Sequence, residues 1–162
     1  MVRHAGRIPA AGEVLDLACG SGRHARYLAG LGRAVVAVDR DGEAIAGLQG
    51  VAGIRAIRLD LEGDDWPLVG QRYAGIVVTN YLWRPRLADV LALLAPGGVL
   101  IYETFMLGNE AYGKPSNPDF LLRPGELRET VQAAGLREMD FAEGYVDSPK
   151  PAMRQAICAR RA

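Results

Sequence analysis

The feature that most constrains this 162-residue chain is a glycine turn between an apolar strand pattern and a helical pattern. Apolar residues around Val14–Leu17 precede the turn, which has glycine at positions 20 and 22, and a second apolar strand pattern then ends at Asp39. Glycine adopts positive φ angles at little cost and lets the backbone approach a ligand closely, because it has no side chain. Parallel sheets bind ligands at the carboxyl ends of their strands, so the sequence predicts a ligand beside this turn.

The acids next to the turn indicate the kind of ligand. A carboxylate at Asp39 would accept hydrogen bonds from ribose hydroxyls, and the first turn of the following helix offers unpaired N–H groups. Residues 20–25 also fit the dinucleotide pattern G-x-G-x-x-G/A. Asp16 argues against a dinucleotide, because a carboxylate so close would repel the pyrophosphate, and it favours a ligand with an amine and a sulfonium. A simple cap of the glycine turn is the alternative role for Asp16.

Four segments resemble, in order, the motifs of the class I S-adenosylmethionine-dependent methyltransferases. They are Val14–Ala25, Val35–Asp39, Ile57–Leu61 with Trp66–Leu68, and Leu93–Ile101. In the first motif Asp16, Gly20 and Gly22 stand in register with the family pattern, and Ala18 replaces a glycine. The resemblance extends from residue 14 to about 105 and is greatest to small bacterial methyltransferases of the tellurite-resistance type.

This resemblance implies S-adenosylmethionine as the cofactor and a small molecule as the methyl acceptor. The residues it assigns to cofactor binding are Asp16, Ala18, Gly20, Gly22, Arg23, Asp39, Arg40, Asp60, Leu61 and Thr79. In the family pattern Asp39 would meet the ribose and Asp60 the adenine amino group, and Arg23 is a candidate for the cofactor carboxylate.

Hydrophobic patterns alternate between strands and helices along the chain. Strands are predicted at about Val14–Leu17, Ala34–Val38, Ile54–Arg58, Tyr73–Thr79, Val99–Glu103, Glu138–Tyr145 and Ala152–Ala159, and helices over Gly22–Leu31, from Asp41, over Pro85–Leu94 and over Pro124–Ala134. The predicted fold is α/β: a doubly wound, mostly parallel seven-stranded sheet with helices on both faces and a C-terminal antiparallel hairpin. We expect one domain over residues 1–162, with a cofactor half at about 12–105 and a substrate or lid half at about 106–162.

Composition limits the compartment and the partners. The chain is 49% hydrophobic, but no apolar run is long enough for a membrane span or a signal peptide, which predicts a soluble, cytoplasmic protein without a membrane partner. The formal net charge of zero gives no electrostatic footprint for a nucleic acid. With two cysteines and no cluster of histidine and cysteine, neither a disulfide framework nor a metal site is predicted.

Candidate catalytic residues follow the fourth and fifth predicted strands. Methyl transfer from a sulfonium is an in-line displacement, so the protein aligns the acceptor and, where needed, takes its proton. Asn80 and Tyr81 occupy the position of an Asn-Pro-Pro-Tyr motif but lack its prolines, so amino-group chemistry is not implied. Glu103 and Tyr112 are further candidates, together with Lys114. For Glu103, an ion pair with an arginine is an equal alternative.

Two other segments bear on the site. The long segment Met106–Arg123 is rich in aromatic and turn residues, which predicts a lid or one wall of the substrate pocket. About twelve residues precede Val14, where the family carries helices, so we expect an open site or one closed by a partner subunit, as in a dimer. His24 is predicted at a solvent-exposed helix position rather than at the mouth of the pocket.

Three functions remain compatible with these patterns. The first is a methyltransferase acting on a small metabolite or an inorganic acceptor. The second is a non-catalytic or partner-dependent module that binds the cofactor. The third is a nicotinamide-dependent oxidoreductase, which leaves Asp16 and Asp60 unexplained and for which the chain is too short to hold a substrate domain.

Overall fold

The computed structural model describes residues 1–162 and contains seven strands and five helices. The strands are β1 (Val14–Leu17), β2 (Val35–Asp39), β3 (Ile54–Arg58), β4 (Tyr73–Thr79), β5 (Leu94–Phe105), β6 (Arg137–Val146) and β7 (Ala152–Arg160). The helices are α1 (Val2–Ala5), α2 (Arg23–Gly30), α3 (Gly42–Ala46), α4 (Leu87–Ala92) and α5 (Glu126–Ala133). None of the five helices has the length and apolar character that crossing a membrane requires.

All seven strands form one sheet in the order β3-β2-β1-β4-β5-β7-β6. The first five strands pair in parallel, and β7 pairs antiparallel with both β5 and β6. The chain builds outward from β1 to β3 and then crosses to β4 on the other side of β1. This reversal opens a crevice at the carboxyl ends of β1 and β4, where sheets of this kind bind ligands. The predicted fold is confirmed.

The sheet is covered on both faces, which explains why its central strands are apolar throughout. One face carries α4 and α5 over a cluster of 24 buried residues, and the other carries α1 and α2 over a cluster of 12. Neighbouring strand residues alternate between the two clusters: Leu15 and Leu17 belong to the first, and Val14 to the second. Asp16 lies between Leu15 and Leu17 in β1 and is the one buried acid in the strands of the sheet.

The structure differs from the sequence prediction where α4 meets β5. The helix ends at Ala92 and not at Leu94, and β5 begins well before the predicted Val99. The reason is backbone pairing that a local pattern does not reveal, because Gly97 donates its N–H to the Arg161 carbonyl at 2.9 Å. A proline and two glycines that indicate a turn in isolation are therefore drawn into the start of the strand.

The residues before β1 pack against the sheet. Ala5 and Ile8 are buried in the cluster shared with α2. Arg33 holds this segment in place by donating from Nη1 to the Pro9 carbonyl at 2.6 Å and from Nη2 to the Ile8 carbonyl at 2.9 Å. The single turn of α1 was not predicted, since four residues are too few to show a helical period.

Replacing Ile8 with alanine is expected to lower the free energy of unfolding by about 2–5 kcal/mol, because the change leaves a cavity beneath the N-terminal segment. The control is Val2→Ala, since Val2 is 57% exposed and its truncation should change stability by no more than about 0.5 kcal/mol. Urea denaturation of both variants measures the difference. Equal, small losses in the two variants would show that the N-terminal segment does not contribute to the core.

Candidate active site

The turn between β1 and α2 has three left-handed residues at alternate positions: Ala18 (φ 55°), Gly20 (φ 53°) and Gly22 (φ 81°). A Cβ on Gly22 would lie 2.5 Å from the Leu48 side chain, so glycine is required there by packing as well as by φ. A Cβ on Gly20 would meet nothing within 4 Å, which leaves the backbone of the turn open to a ligand. Ala18 adopts the conformation of the glycine it replaces in the family motif, at a strain of about 1 kcal/mol.

Asp39 joins the end of β2 to this turn. Its Oδ2 accepts a hydrogen bond from the Gly20 N–H at 2.8 Å, and its Oδ1 accepts one from the Asp41 N–H at 2.9 Å. Each carboxylate oxygen can accept a further hydrogen bond, so the side chain can still receive ribose hydroxyls. Asp39 therefore fixes the turn and faces the ligand space with the same group.

Asp16 lies beneath the turn and is 1% exposed, with Oδ2 lacking any hydrogen-bond partner. Burial raises the pKa of its carboxyl group to about 7, against the lowering effect of the Ala25 N–H, and the nearby Asp39 charge raises it further. Arg23 acts in the opposite direction but more weakly. An unpaired buried carboxyl of this kind favours a cationic ligand, which would supply the missing partner.

A cavity of about 400 Å³, called the first cavity here, lies at the carboxyl ends of β1 to β4. Its lining includes seven residues predicted from the sequence: Ala18, Asp39, Arg40, Asp60, Leu61, Asn80 and Tyr81. Glu62, which was not predicted, adds a third carboxylate, and Arg40 Nη1 lies 3.7 Å from its Oε2. No group of three or more His, Cys, Asp or Glu side chains is arranged to hold a metal ion.

A second cavity of about 410 Å³ adjoins the first and shares Asn80 with it. It is lined by α1 and by Arg23, His24, Tyr27, Thr79, Glu103 and Arg154, and most of these side chains are polar or charged. His24 is half-buried and lies at this cavity, so the prediction of a solvent-exposed helix position was wrong. Burial, with Arg23 beside it, lowers the pKa of His24 to about 4, so the ring is neutral at pH 7.

Arg154 on β7 connects two of the predicted catalytic residues. Its Nε donates to Glu103 Oε1 at 2.8 Å, its Nη2 donates to Asn80 Oδ1 at 2.5 Å, and its guanidinium lies over the Phe105 ring at 4.4 Å. Glu103 is thus paired with an arginine, as in the alternative interpretation of its sequence position. Asn80 is held at a left-handed φ of 56°, which aims its side chain at this arginine. Sequence patterns missed Arg154, because only the register of β7 against β5 brings it here.

The remaining catalytic candidates are dispersed. Tyr81 packs against the core, and burial raises the pKa of its hydroxyl above the usual value, with Glu62 adding to the effect. Tyr112 is 48% exposed and packs on Tyr145, with ring centroids 5.4 Å apart, and it lines neither cavity. The structure therefore does not bring Tyr112 to the site. Lys114 is exposed and also lines neither cavity.

The segment Met106–Arg123 forms a wall of the first cavity through Pro115 and Phe120. Asn109 is buried in this segment, donating from Nδ2 to the Pro115 carbonyl at 3.0 Å and accepting from the Met153 N–H at 3.1 Å. Residues from the predicted substrate half thus line the same cavity as residues from the predicted cofactor half.

A family model described as a methyltransferase domain matches residues 14–98, which include the glycine turn and the acids at the ends of β2 and β3. The chain belongs to this family. The prediction that the chain is a methyltransferase of this family is thereby confirmed. A comparison of the sequence with curated proteins found no match.

Solved structures with similar folds include TehB and two methyltransferases. TehB from Haemophilus influenzae has a TM-score of 0.81 at 22% identity, over 99% of this chain and 61% of TehB. A TehB-like S-adenosylmethionine-dependent methyltransferase from Corynebacterium glutamicum has a TM-score of 0.68 at 21% identity, over 95% and 82%. A Burkholderia thailandensis 1,6-didemethyltoxoflavin-N1-methyltransferase, with bound 1,6-didemethyltoxoflavin and S-adenosylhomocysteine, has a TM-score of 0.69 at 23% identity, over 99% and 74%. The chain thus spans less than two thirds of the length of TehB.

The buried Asp16 carboxyl predicts a specific pH dependence of stability. The folded-state pKa of about 7 lies above the unfolded value near 4, so the folded protein keeps a proton that the unfolded chain has lost. This contribution to stability is complete below about pH 4 and is lost as the pH rises to about 7. The Asp16→Asn variant lacks this titrating group. Its free energy of unfolding, measured relative to that of the unmodified protein, should therefore rise by roughly 2–4 kcal/mol between pH 4.5 and pH 8. Urea denaturation at the two pH values tests this, and parallel pH profiles would contradict it.

Proposed function

We propose that the chain transfers the methyl group of S-adenosylmethionine to a small-molecule acceptor by in-line displacement. The observation that carries the proposal is the orphaned carboxyl oxygen of Asp16 beneath a glycine turn that opens onto the first cavity. A buried acid without a partner is unfavourable in the free protein, and a ligand with an ammonium and a sulfonium compensates it. A pyrophosphate would add a like charge at the same place, which disfavours a dinucleotide.

The residues present fit this cofactor. The open backbone at Gly20 and the acid Asp16 suit its methionine part, and Arg23 in the second cavity suits its carboxylate. Asp39 would receive the ribose hydroxyls, and Asp60 at the end of β3 would receive the adenine amino group. When bound, the cofactor supplies a methyl group already activated by the positive sulfur.

The acceptor is proposed to enter through the second cavity, because Asn80 marks the boundary between the two cavities. Arg154 fixes the carboxylate of Glu103 and the amide of Asn80 at that boundary, which limits the orientations open to both side chains. Glu103 can then orient a donor group of the acceptor or take its proton. Placing the acceptor in line with the methyl group and excluding water are the chain's contributions to the rate.

A binding module without catalysis is a second candidate, and one observation favours it. The Glu103 carboxylate is already engaged by Arg154, and neither Tyr112 nor Lys114 lines a cavity, so none of the predicted catalytic residues stands at the boundary as an unengaged base. Methyl transfer to a soft, already nucleophilic acceptor atom needs no base, whereas transfer to a hydroxyl does. Activity measurements therefore separate the two candidates.

Binding of S-adenosylhomocysteine tests the cofactor site. At one hundred times its Kd the ligand should add about 2.7 kcal/mol of stability, or several degrees in Tm, while NAD adds none. Asp39→Ala should weaken binding by about 1–3 kcal/mol in isothermal titration calorimetry. Asp41→Ala is the matched control, because Asp41 caps α3 outside both cavities, and its loss should lower stability by about 1 kcal/mol while sparing affinity. Stabilisation by NAD alone would overturn the proposal.

Glu103→Gln tests the acceptor end, once a screen with radiolabelled S-adenosylmethionine has identified an acceptor. If Glu103 takes the acceptor's proton, kcat should fall by about 10²- to 10⁴-fold, while the Kd for S-adenosylhomocysteine changes less than twofold. Glu129→Gln on the exposed surface of α5 is the control and should leave kcat unchanged. An unaltered kcat in Glu103→Gln would limit Glu103 to a structural pair with Arg154. Cofactor binding without transfer to any acceptor would favour the binding module.

A further inference from the structure

Arg84 lines neither the first nor the second cavity, yet it is tied to a wall of the first. It lies just after Asn80–Leu82, the segment that follows β4 and lines the first cavity. Its guanidinium makes four hydrogen bonds, all directed at the end of the wall segment or at α5. The proposed methyl transfer does not require these four hydrogen bonds and so does not explain them.

Two of these hydrogen bonds go to the residues on either side of Phe120 in the wall segment. Arg84 Nη1 donates to the Asp119 carbonyl at 2.7 Å, and Nη2 donates to the Leu121 carbonyl at 2.7 Å. Between them stands Phe120, which lines the first cavity and is 43% exposed. A ring so little packed is placed mainly by its backbone, so the two carbonyl contacts set where it lies.

The other two bonds go to the carboxylate of Glu126 at the start of α5. Nε donates to Oε1 at 2.7 Å and Nη2 to Oε2 at 2.9 Å, so the guanidinium and the carboxylate meet in a two-point contact. Glu126 is 5% exposed, and its Oε2 also accepts the Arg123 N–H at 2.7 Å. Burial acts to raise the pKa of Glu126, but the bonds from Arg84 and Arg123 outweigh it and hold the pKa below its usual value.

A partly buried ion pair, here with the side chain of Arg84 35% exposed and that of Glu126 6% exposed, adds little net stability compared with apolar side chains of the same volume, but it fixes geometry. Only arginine can hold a carboxylate at two points and two carbonyls at once, because its donors are arranged in a rigid plane. The ion pair between Arg84 and Glu126 therefore contributes more to the position of the residues around it than to the stability of the fold. What it positions is the turn Pro118–Phe120 at the edge of the first cavity.

We propose that Arg84 is a positioning residue of the cofactor site: through Glu126 and the carbonyls of Asp119 and Leu121 it holds Phe120 as the wall that receives the adenosine part of the cofactor. This inference rests on the proposed function and deepens it by naming a residue outside the cavity that sets cofactor affinity. A purely structural role would instead be to fasten α5 to the end of β4.

A double-mutant cycle separates the two roles. We expect Arg84→Lys and Phe120→Ala each to weaken S-adenosylhomocysteine binding by about 5- to 20-fold in calorimetry, and the double variant to bind within twofold of Phe120→Ala. The lysine keeps the charge that faces Glu126 but cannot reach both carbonyls, and Glu126→Gln offers a second variant with the same expected loss. Losses that multiply in the double variant, or an unchanged affinity in Arg84→Lys, would overturn the proposal.

The matched control is Arg128→Lys. Arg128 makes the same two-point contact with Glu138, at 2.6 and 2.9 Å, but on an exposed surface away from both cavities. Its affinity for S-adenosylhomocysteine should stay within twofold of the unmodified protein.

Hydrogen exchange provides a readout that needs no ligand. The amide of Leu121 is bonded to the Pro118 carbonyl and that of Leu122 to the Phe105 carbonyl, and both should exchange at least tenfold faster in Arg84→Lys but not in Arg128→Lys. Unchanged exchange would overturn the positioning role. If the unmodified protein itself binds no S-adenosylhomocysteine, the proposed function fails. If it binds and Arg84→Lys binds equally well, only the role of Arg84 fails.

Discussion

The hydrogen bond from the Gly20 N–H to the Asp39 carboxylate is the contact on which the site depends. It joins the ends of β1 and β2, and so it holds the glycine turn in the left-handed geometry that exposes its backbone. The same carboxylate lines the first cavity, so the group that shapes the turn is also the one proposed to receive the ribose hydroxyls. One acid at a strand end thereby couples the geometry of the fold to recognition, and a change there affects both.

Asp16 and Asp39 are close in space but differ in environment, and this difference gives each a separate role. Asp39 receives two backbone N–H bonds, whereas Asp16 is buried with an oxygen that nothing satisfies. Burial makes the charged form of Asp16 unfavourable in the free protein. A cation would relieve this unfavourable burial, and for this reason the proposed site favours a positively charged ligand over an anionic one. Perturbed acids of this kind are typical of functional crevices.

The sequence predicted the sheet and half of the residues that line the first cavity, because both depend on short segments with a strong local pattern. Ala18, Asp39 and Asp60 each end a strand or lie in the turn, where order along the chain fixes position in space. Arg84 and Arg154 were missed, because their roles depend on contacts with Glu126 and Glu103 that only long-range packing creates. Tyr112 was predicted in the site on loop composition alone, and the loop's actual path takes it to Tyr145.

The two cavities differ in how they are built, and this bears on which part of the site can vary. The wall of the first is fastened from both ends, by Asn109 to β7 and by Arg84 to the backbone on either side of Phe120. The second is lined by side chains from α1, α2, β5 and β7, among which Arg154 is bonded to Glu103 and Arg23 Nη2 lies 3.2 Å from His24 Nε2. Substitutions on α1 and α2, which line the second cavity and not the first, would alter the second without loosening the wall of the first. Under the proposed function, such substitutions would change the acceptor while the cofactor site is kept.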